Sequence, residues 1–215
     1  MKKSLVALTM VFGTTTASAV VIIDNGTQGL YNNGLGDLAT MDDTLADNFL
    51  LAANGAEGDP TMTFASDPLA GATYTAAFGT DWLGGDLTGG SWSAGNVAIP
   101  GSWTPNDESA IIYEFTLASM SDLNIDLGVD NGILVWLDGN FLFGGQQPGG
   151  SFPGEYVVNA SNVSAGSHSL QILREDHGGG TSYLISVDAT TSVPEPSILA
   201  LLGLGLIGMG YRRQK

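Results

Sequence analysis

The chain has 215 residues, and its 22 acidic side chains face six lysines and arginines, which gives a formal net charge of −16 at pH 7. Five of the six basic residues lie at the two ends, so residues 20–193 carry one basic side chain, Arg174, against 21 acidic ones, a formal charge of −20. Such a body excludes nucleic-acid binding, which depends on basic side chains that neutralise phosphates, and anionic membranes repel it. The chain has no cysteine, which excludes disulfides, thiol catalysis and cysteine-based metal sites.

The N-terminus has the pattern of a secretory signal peptide. Lys2 and Lys3 precede the apolar stretch 5–12, and the small-residue motif Ala-Ser-Ala ends at Ala19. The apolar stretch is too short to span a membrane. We therefore predict a signal peptide over residues 1–19, cleaved between Ala19 and Val20.

Residues 20–192 show the pattern of an all-β domain. Turn-forming residues recur about every ten residues between short apolar runs, which is typical of a β-sandwich or barrel. Apolar residues alternate with polar ones in 123–129, whereas 133–137 is apolar on both faces and predicts an interior strand. Asp138-Gly139 predicts a hairpin turn after it. The remaining predicted strands are 61–64, 74–78, 97–99, 111–117, 141–143, 156–158, 169–173 and 183–187.

Three polar residues flank the apolar strand 133–137 and form the candidate metal site. Asp130 and Asn131 precede the strand and Asp138 follows it, and their side-chain oxygens suit calcium. A hairpin could bring Asp130 and Asn131 to Asp138, or instead to Asp176 and His177. The alternative is that these residues only hydrogen-bond their own backbone in turns.

Two tryptophans lie in the glycine-rich segment 81–95 and are the candidate ligand contacts. Trp82 and Trp92 could form a platform on which a sugar ring stacks. The alternative is that they fill the core or its lid. Asp176 and His177 complete the candidate ligand residues.

The C-terminus consists of three segments in a fixed order. Pro194-Glu195-Pro196 comes first, the apolar stretch 198–211 second, and a basic tip with Arg212 and Arg213 last. Fourteen helical residues rise about 21 Å, against a hydrocarbon core of about 30 Å. The sequence therefore predicts a short transmembrane helix, the chain's only membrane segment, with its basic tip held on the cytoplasmic side.

This tail, residues 193–215, resembles the PEP-CTERM protein-sorting signal of Gram-negative bacteria. The resemblance implies that an exosortase, a membrane cysteine transpeptidase, processes the tail after the export machinery has delivered the protein. It also implies transient anchoring in the inner membrane, and then release to the cell surface or to an extracellular polysaccharide matrix.

A second resemblance lies in the body. Gly128-Val129-Asp130-Asn131-Gly132, followed by Trp136-Leu137-Asp138-Gly139, is similar to the signature of galactose-binding-like and protective-antigen-type domains. The resemblance implies a single jelly-roll-like antiparallel β-sandwich. Both groups often bind carbohydrate and some members use calcium.

Together these features predict an exported, exosortase-sorted surface or matrix protein without enzymatic activity. It would bind extracellular polysaccharide, with or without calcium. Two alternatives stay open: a structural matrix or coat protein without ligand, and a secreted glycan-active enzyme. No G-x-S-x-G motif occurs in the chain, and no pair of carboxylates stands out from the others.

Overall fold

The computed structural model describes residues 18–38, 61–69, 81–176 and 178–191, which form an antiparallel β-sandwich. The four-stranded sheet has the order β1-β11-β6-β9, and the seven-stranded sheet has the order β3-β8-β7-β10-β5-β2-β4. The strands are β1 (Ala19–Asp24), β2 (Gln28–Gly36), β3 (Met62–Thr63), β4 (Val97–Ala98), β5 (Glu108–Leu117), β6 (Ser121–Asp130), β7 (Gly132–Leu137), β8 (Asn140–Gln146), β9 (Tyr156–Val163), β10 (Gly166–Glu175) and β11 (Ser182–Thr191), and a short 3-10 helix spans Trp82–Gly84.

The main core lies between the two sheets. In β6, Leu123, Ile125 and Leu127 point into it and are almost fully buried, while Asp122 and Asn124 point to solvent. Successive residues of a strand face opposite sides of the sheet, so the alternating sequence dictates this arrangement. Burying one such side chain stabilises the fold by about 1.5–3 kcal/mol. The predicted all-β sandwich is confirmed.

A second, smaller core covers the outer face of the seven-stranded sheet. Leu134 and Trp136 of β7 and Leu173 of β10 contribute to it, and Trp82 and Trp92 pack on it from outside. Because β7 is buried on both faces, it needs apolar residues throughout. β7 pairs with β8 on one side and β10 on the other, so the predicted interior strand is confirmed.

The chain changes sheets between β6 and β7. β6 belongs to the four-stranded sheet and β7 to the seven-stranded one, and Asn131 connects them at one end of the sandwich. The turn Asp138-Gly139 lies at the far end of β7 and leads into β8, as predicted. Its residues have φ of +51° and +74°, a backbone conformation that suits Asp and Gly in a tight hairpin.

Two strands appear where the sequence predicts none. β2 is rich in glycine and asparagine, which are depleted in strands, yet it pairs with β5 along the sheet. β1 pairs with β11 at the edge of the other sheet. Of the weaker predicted strands, 61–64 is reduced to β3 and 97–99 to β4, and 74–78 lies outside the described residues.

Candidate functional site

Asp130 and Asn131 form the crossover between the sheets. Asp130 is 8% exposed and Asn131 is 1% exposed, and the peptide bond between them is cis. The backbone N–H of Asn131 donates to the carbonyl of Glu175 at 3.0 Å, and the carbonyl of Asn131 accepts from the N–H of Gln147 at 3.3 Å. The side-chain amide of Asn131 donates to Asp130 Oδ1 at 3.0 Å. The other side-chain atom of Asn131, the oxygen Oδ1, is buried, and within the described part of the chain no donor reaches it.

Asp176 forms a second wall of the same region. It follows Glu175, whose carbonyl accepts from Asn131, so Asp176 lies beside the crossover. Its Oδ2 accepts from the N–H of Asn106 at 2.6 Å and from that of Gly178 at 3.2 Å. The oxygen Oδ1 of Asn106 is also buried and meets no donor from the described segments. Asn131 Oδ1 and Asn106 Oδ1 therefore lack donors at this end of the sandwich, as does Oε1 of Gln146, which pairs with Gly132 in the strand register.

The loop 147–155 forms the third wall, and Glu155 holds it in place. Oε2 of Glu155 accepts from the N–H of Val129 at 2.8 Å and from that of Phe152 at 3.4 Å. Its Oε1 accepts from the side-chain amide of Gln147. One carboxylate thus ties both ends and the middle of the loop to the strand that carries Asp130.

Buried acidic groups crowd this end of the sandwich. Burial raises the pKa of Glu108, the Leu38 N–H that donates to its Oε2 at 2.6 Å opposes the rise, and the charges of Glu175 and Asp37 add to it. The resulting pKa is about 9. Burial and the charge of Asp37 also raise the pKa of Asp107. At pH 7 Glu108 is therefore protonated, because the cost of burying its charge exceeds the gain from its hydrogen bond.

Arg174, the one basic residue of the body, lies behind this region and is fully buried. Its Nε donates to Ser109 Oγ at 2.9 Å and its Nη1 to the carbonyl of Pro100 at 2.8 Å. Its guanidinium lies over the rings of Trp103 and Tyr183, at 4.2 and 4.9 Å from their centroids. Neutral oxygens and aromatic faces therefore hold this charge.

The donor set around the crossover consists of oxygens. Asp130 and Asp176 supply carboxylates, and Asn131 and Asn106 supply amide oxygens, which are ligands that calcium prefers. Among the described residues, no group of three or more His, Cys, Asp or Glu side chains is arranged to hold a metal. A cation here would therefore depend on amide and backbone oxygens as well as on the two carboxylates.

The structure places Asp138 away from the other two residues of the predicted metal site. The whole of β7, six residues at about 3.3 Å each, separates Asp138 from Asn131. Asp138 accepts instead from the backbone N–H of Ser169 at 2.9 Å, and its Oδ2 lies 2.7 Å from His168 Nδ1. These three residues line an open cavity of about 470 Å³. Of the two arrangements that the sequence left open, the structure shows Asn131 beside Asp176.

Trp82 and Trp92 do not form an open platform. Their rings stack on each other with centroids 5.8 Å apart, and Trp82 meets the edge of Trp136 at 5.5 Å. Both pack against the second core. This is the alternative arrangement, in which the tryptophans fill the core or its lid.

Several predicted residues lie outside the described ranges, and two others lie in β1. Ala19, at the predicted cleavage junction, pairs with Thr190 of β11, and Val20 pairs with Ala189. The predicted membrane helix, 198–211, lies outside the described residues, and within those residues no helix has the length and apolar character needed to cross a membrane. The other site residues outside the described ranges are His177, Pro194, Glu195, Pro196, Arg212 and Arg213.

Asn106, Glu155 and Phe152 were not predicted from the sequence. Asn106 belongs to a Thr-Pro-Asn-Asp turn, and no sequence pattern connects this turn with Asp176, 70 residues later. Phe152 stands between Gly149-Gly150 and Pro153-Gly154. An aromatic residue in a glycine-rich loop is the signal that was applied to Trp82 and Trp92, and it could have found Phe152.

The C-terminal segment identifies the route that the protein takes. Residues 192–214 match the family of the PEP-CTERM protein-sorting motif. The chain carries a PEP-CTERM sorting signal. A PEP-CTERM protein is exported and anchored transiently in the membrane before its surface or extracellular release.

No curated protein matches the chain. Among solved structures it is similar to the PA14 domain of the antifreeze protein MpAFP, with 17% identity, a TM-score of 0.35, and coverage of 87% of this chain and 90% of that one. It is also similar to a PA14 sugar-binding domain from an RTX adhesin, with 16% identity, a TM-score of 0.34, and coverage of 74% of this chain and 89% of that one. A third similar structure is a β-glucuronidase from an uncultured Clostridium sp., with 10% identity, a TM-score of 0.43, and coverage of 85% of this chain and 31% of that one. All three TM-scores are below 0.5, so the assignment as a sandwich rests on the strand pairing.

Proposed function

We propose that the body of this PEP-CTERM protein binds an extracellular polysaccharide at the sheet crossover, with the help of calcium, and has no enzymatic activity. The observation that carries this proposal is the pair of buried amide oxygens, Asn131 Oδ1 and Asn106 Oδ1, beside Asp130 and Asp176. Leaving a buried polar atom without a partner costs about 1–3 kcal/mol. A ligand that supplies the missing interaction would recover that cost.

The residues at the crossover fit a calcium ion. Asp130, Asn131, Asn106 and Asp176 would hold it through oxygens, and the two aspartates would supply the negative charge. Bound calcium would neutralise part of this charge and offer coordination positions to sugar hydroxyls. Around it the chain supplies fixed walls, because Glu155 anchors the loop 147–155 and the turn with Asn106 is bonded to Asp176.

Two further observations support a carbohydrate ligand. The stretch from Gly128 to Gly139 resembles the signature of galactose-binding-like and protective-antigen-type domains, both of which often bind carbohydrate. The sorting signal belongs to proteins exported by bacteria that make extracellular polysaccharide, so ligand and protein would meet outside the cell.

The geometry of His168 does not suit a catalytic base of the serine-hydrolase type. One ring nitrogen faces Asp138 at 2.7 Å and the other faces the carbonyl of Ser164 at 2.9 Å. Two acceptor oxygens on the ring leave no nitrogen to take a proton from a nucleophile, which a catalytic histidine must do. The cavity beside it is therefore not a hydrolase site of that type.

Binding to glycans tests the proposal. The purified exported protein is applied to a glycan array that includes the polysaccharide of the producing organism, in calcium, in magnesium and in a chelator. We expect binding in calcium that the chelator abolishes and that Asp130→Asn removes. Asp188→Asn, which deletes the same charge on the outer face of β11, should bind like the wild type. Absence of binding in all three conditions would instead favour the structural protein without ligand.

A further inference from the structure

We propose that Phe152 is the aromatic contact of this carbohydrate site and stacks on the C–H face of a sugar ring held at the crossover. The inference rests on the proposed function and names the kind of sugar that the site selects. That sugar is a pyranose with adjacent hydroxyls on one side and an uninterrupted C–H face on another.

Phe152 is exposed where an aromatic residue is usually buried. The residue is 61% exposed, and it is the one aromatic residue among the exposed large apolar residues in the described ranges. Trp82 and Trp92 cannot take this role, because they stack on each other in the second core. An aromatic ring in contact with solvent leaves apolar area available for a ligand.

The loop that carries Phe152 is held rigidly. The N–H of Phe152 is bonded to Glu155, the N–H of Ser151 donates to Ser182 Oγ at 2.9 Å, and the N–H of Gly154 donates to Asp126 Oδ1 at 2.6 Å. A loop backbone fixed in this way loses little conformational freedom on binding, which favours affinity.

The backbone of Phe152 lies directly on β6 next to Asp130. A Cβ atom added to Gly128 would come within 2.5 Å of the Phe152 carbonyl oxygen and 2.9 Å of its nitrogen. Gly128 and Asp130 share the outer face of β6, since Leu127 and Val129 point into the core. Ser182, which holds the loop, is the partner of Asp130 in the strand register. Phe152 and Asp130 are therefore neighbours on one surface.

This placement combines two kinds of recognition. The oxygens at the crossover would direct the hydroxyls of a sugar, while the Phe152 ring, which has no hydrogen-bonding atom, would accept only an apolar face. Binding sites commonly join a few fixed polar groups to an aromatic surface, so that the polar groups orient the ligand and the aromatic ring adds contact area. The pairing explains why the chain fixes an exposed phenylalanine beside buried carboxylates.

The test compares Phe152→Ala, Phe152→Trp and the control Met120→Ala, which removes an exposed apolar side chain at the far end of β6. Oligosaccharides cut from the extracellular polysaccharide of the producing organism are titrated by calorimetry in calcium. Phe152→Ala should weaken binding about tenfold, or about 1.4 kcal/mol, and Phe152→Trp should restore it. The calcium Kd and the Tm should stay at the wild-type values, because a structural role would shift them.

Two results would overturn the inference, and they differ in whether the proposed function also fails. Unchanged affinity in Phe152→Ala, with binding still abolished by Asp130→Asn, rejects the role of Phe152 and leaves the proposed function intact. A wild-type protein that binds none of the oligosaccharides rejects both.

Discussion

His168 links two loops at the end of the sandwich opposite the crossover. Its ring lies between Asp138 in the β7–β8 turn and the carbonyl of Ser164, and both contacts require a protonated nitrogen if both are to be hydrogen bonds. Burial acts to lower the pKa of His168, but the hydrogen bonds to Asp138 and Ser164 and the charge of Asp138 raise it above 6.5.

This raised pKa predicts a pH-dependent stability. The folded state holds the proton more tightly than the unfolded state, so the stabilisation is fully present below about pH 6.5 and is lost as the pH rises through the folded pKa. Urea unfolding of the wild type and His168→Gln should therefore differ more at pH 5.5 than at pH 8.5. A difference that is the same at both values, or larger at pH 8.5, would contradict the assignment of the proton.

The candidate site could be predicted from the sequence only in part. Asp130 and Asn131 were found because oxygen side chains interrupt an apolar pattern. Their distance from Asp138 could not be predicted from the sequence, because it depends on the course of β7, which runs straight to the far end of the sheet. Asn106 was missed since its contact with Asp176 joins residues 70 positions apart.

Among the elements, the loop 147–155 depends on a single glycine of β6. Any side chain at position 128 would meet the backbone of Phe152, which cannot move without breaking the contacts of Glu155. Gly128→Ala should therefore destabilise the fold by about 1–3 kcal/mol, as overpacking does. The control is Gly95→Ala, where a Cβ would meet nothing within 4 Å. Thermal melts check the prediction, and equal Tm values for the two variants would contradict the close contact.

The strands with a regular apolar pattern could be predicted from the sequence. The strands that form only because a neighbouring strand pairs with them could not. β5, β6 and β7 carry alternating or continuous apolar runs. An alternating run fits a strand with one buried face, and a continuous run fits a strand with two. β2 reads as a turn-rich segment, and it forms a strand because β5 offers it a pairing edge that overrides local preference.

For the whole molecule, the tail should control the final location. We expect the double variant Pro194→Ala and Glu195→Ala to keep its precursor in the inner membrane, because we propose that the processing enzyme recognises the Pro-Glu-Pro segment, whose prolines disfavour a helix. Cell fractionation and immunoblotting measure this outcome. A matched pair of substitutions, Ser192→Ala and Ser197→Ala, should leave sorting unchanged. Release of the proline variant at the wild-type rate would refute the role of the Pro-Glu-Pro segment.

The formal charge of −20 on residues 20–193 means that any cation would stabilise the molecule to some extent by reducing self-repulsion. A specific site at the crossover differs from such screening in two ways. It should prefer calcium, because magnesium demands a tighter octahedral geometry, and it should depend on Asp130 but not on Asp188.

Thermal melts in matched calcium, magnesium and sodium at equal ionic strength separate the two explanations. At a hundredfold excess over its Kd, calcium bound at the crossover should stabilise the native state by about 2.7 kcal/mol. We predict a rise in Tm that is larger in calcium than in magnesium, is lost in Asp130→Asn and persists in Asp188→Asn. Equal shifts in calcium and magnesium that Asp130→Asn leaves unchanged would contradict a calcium site at the crossover.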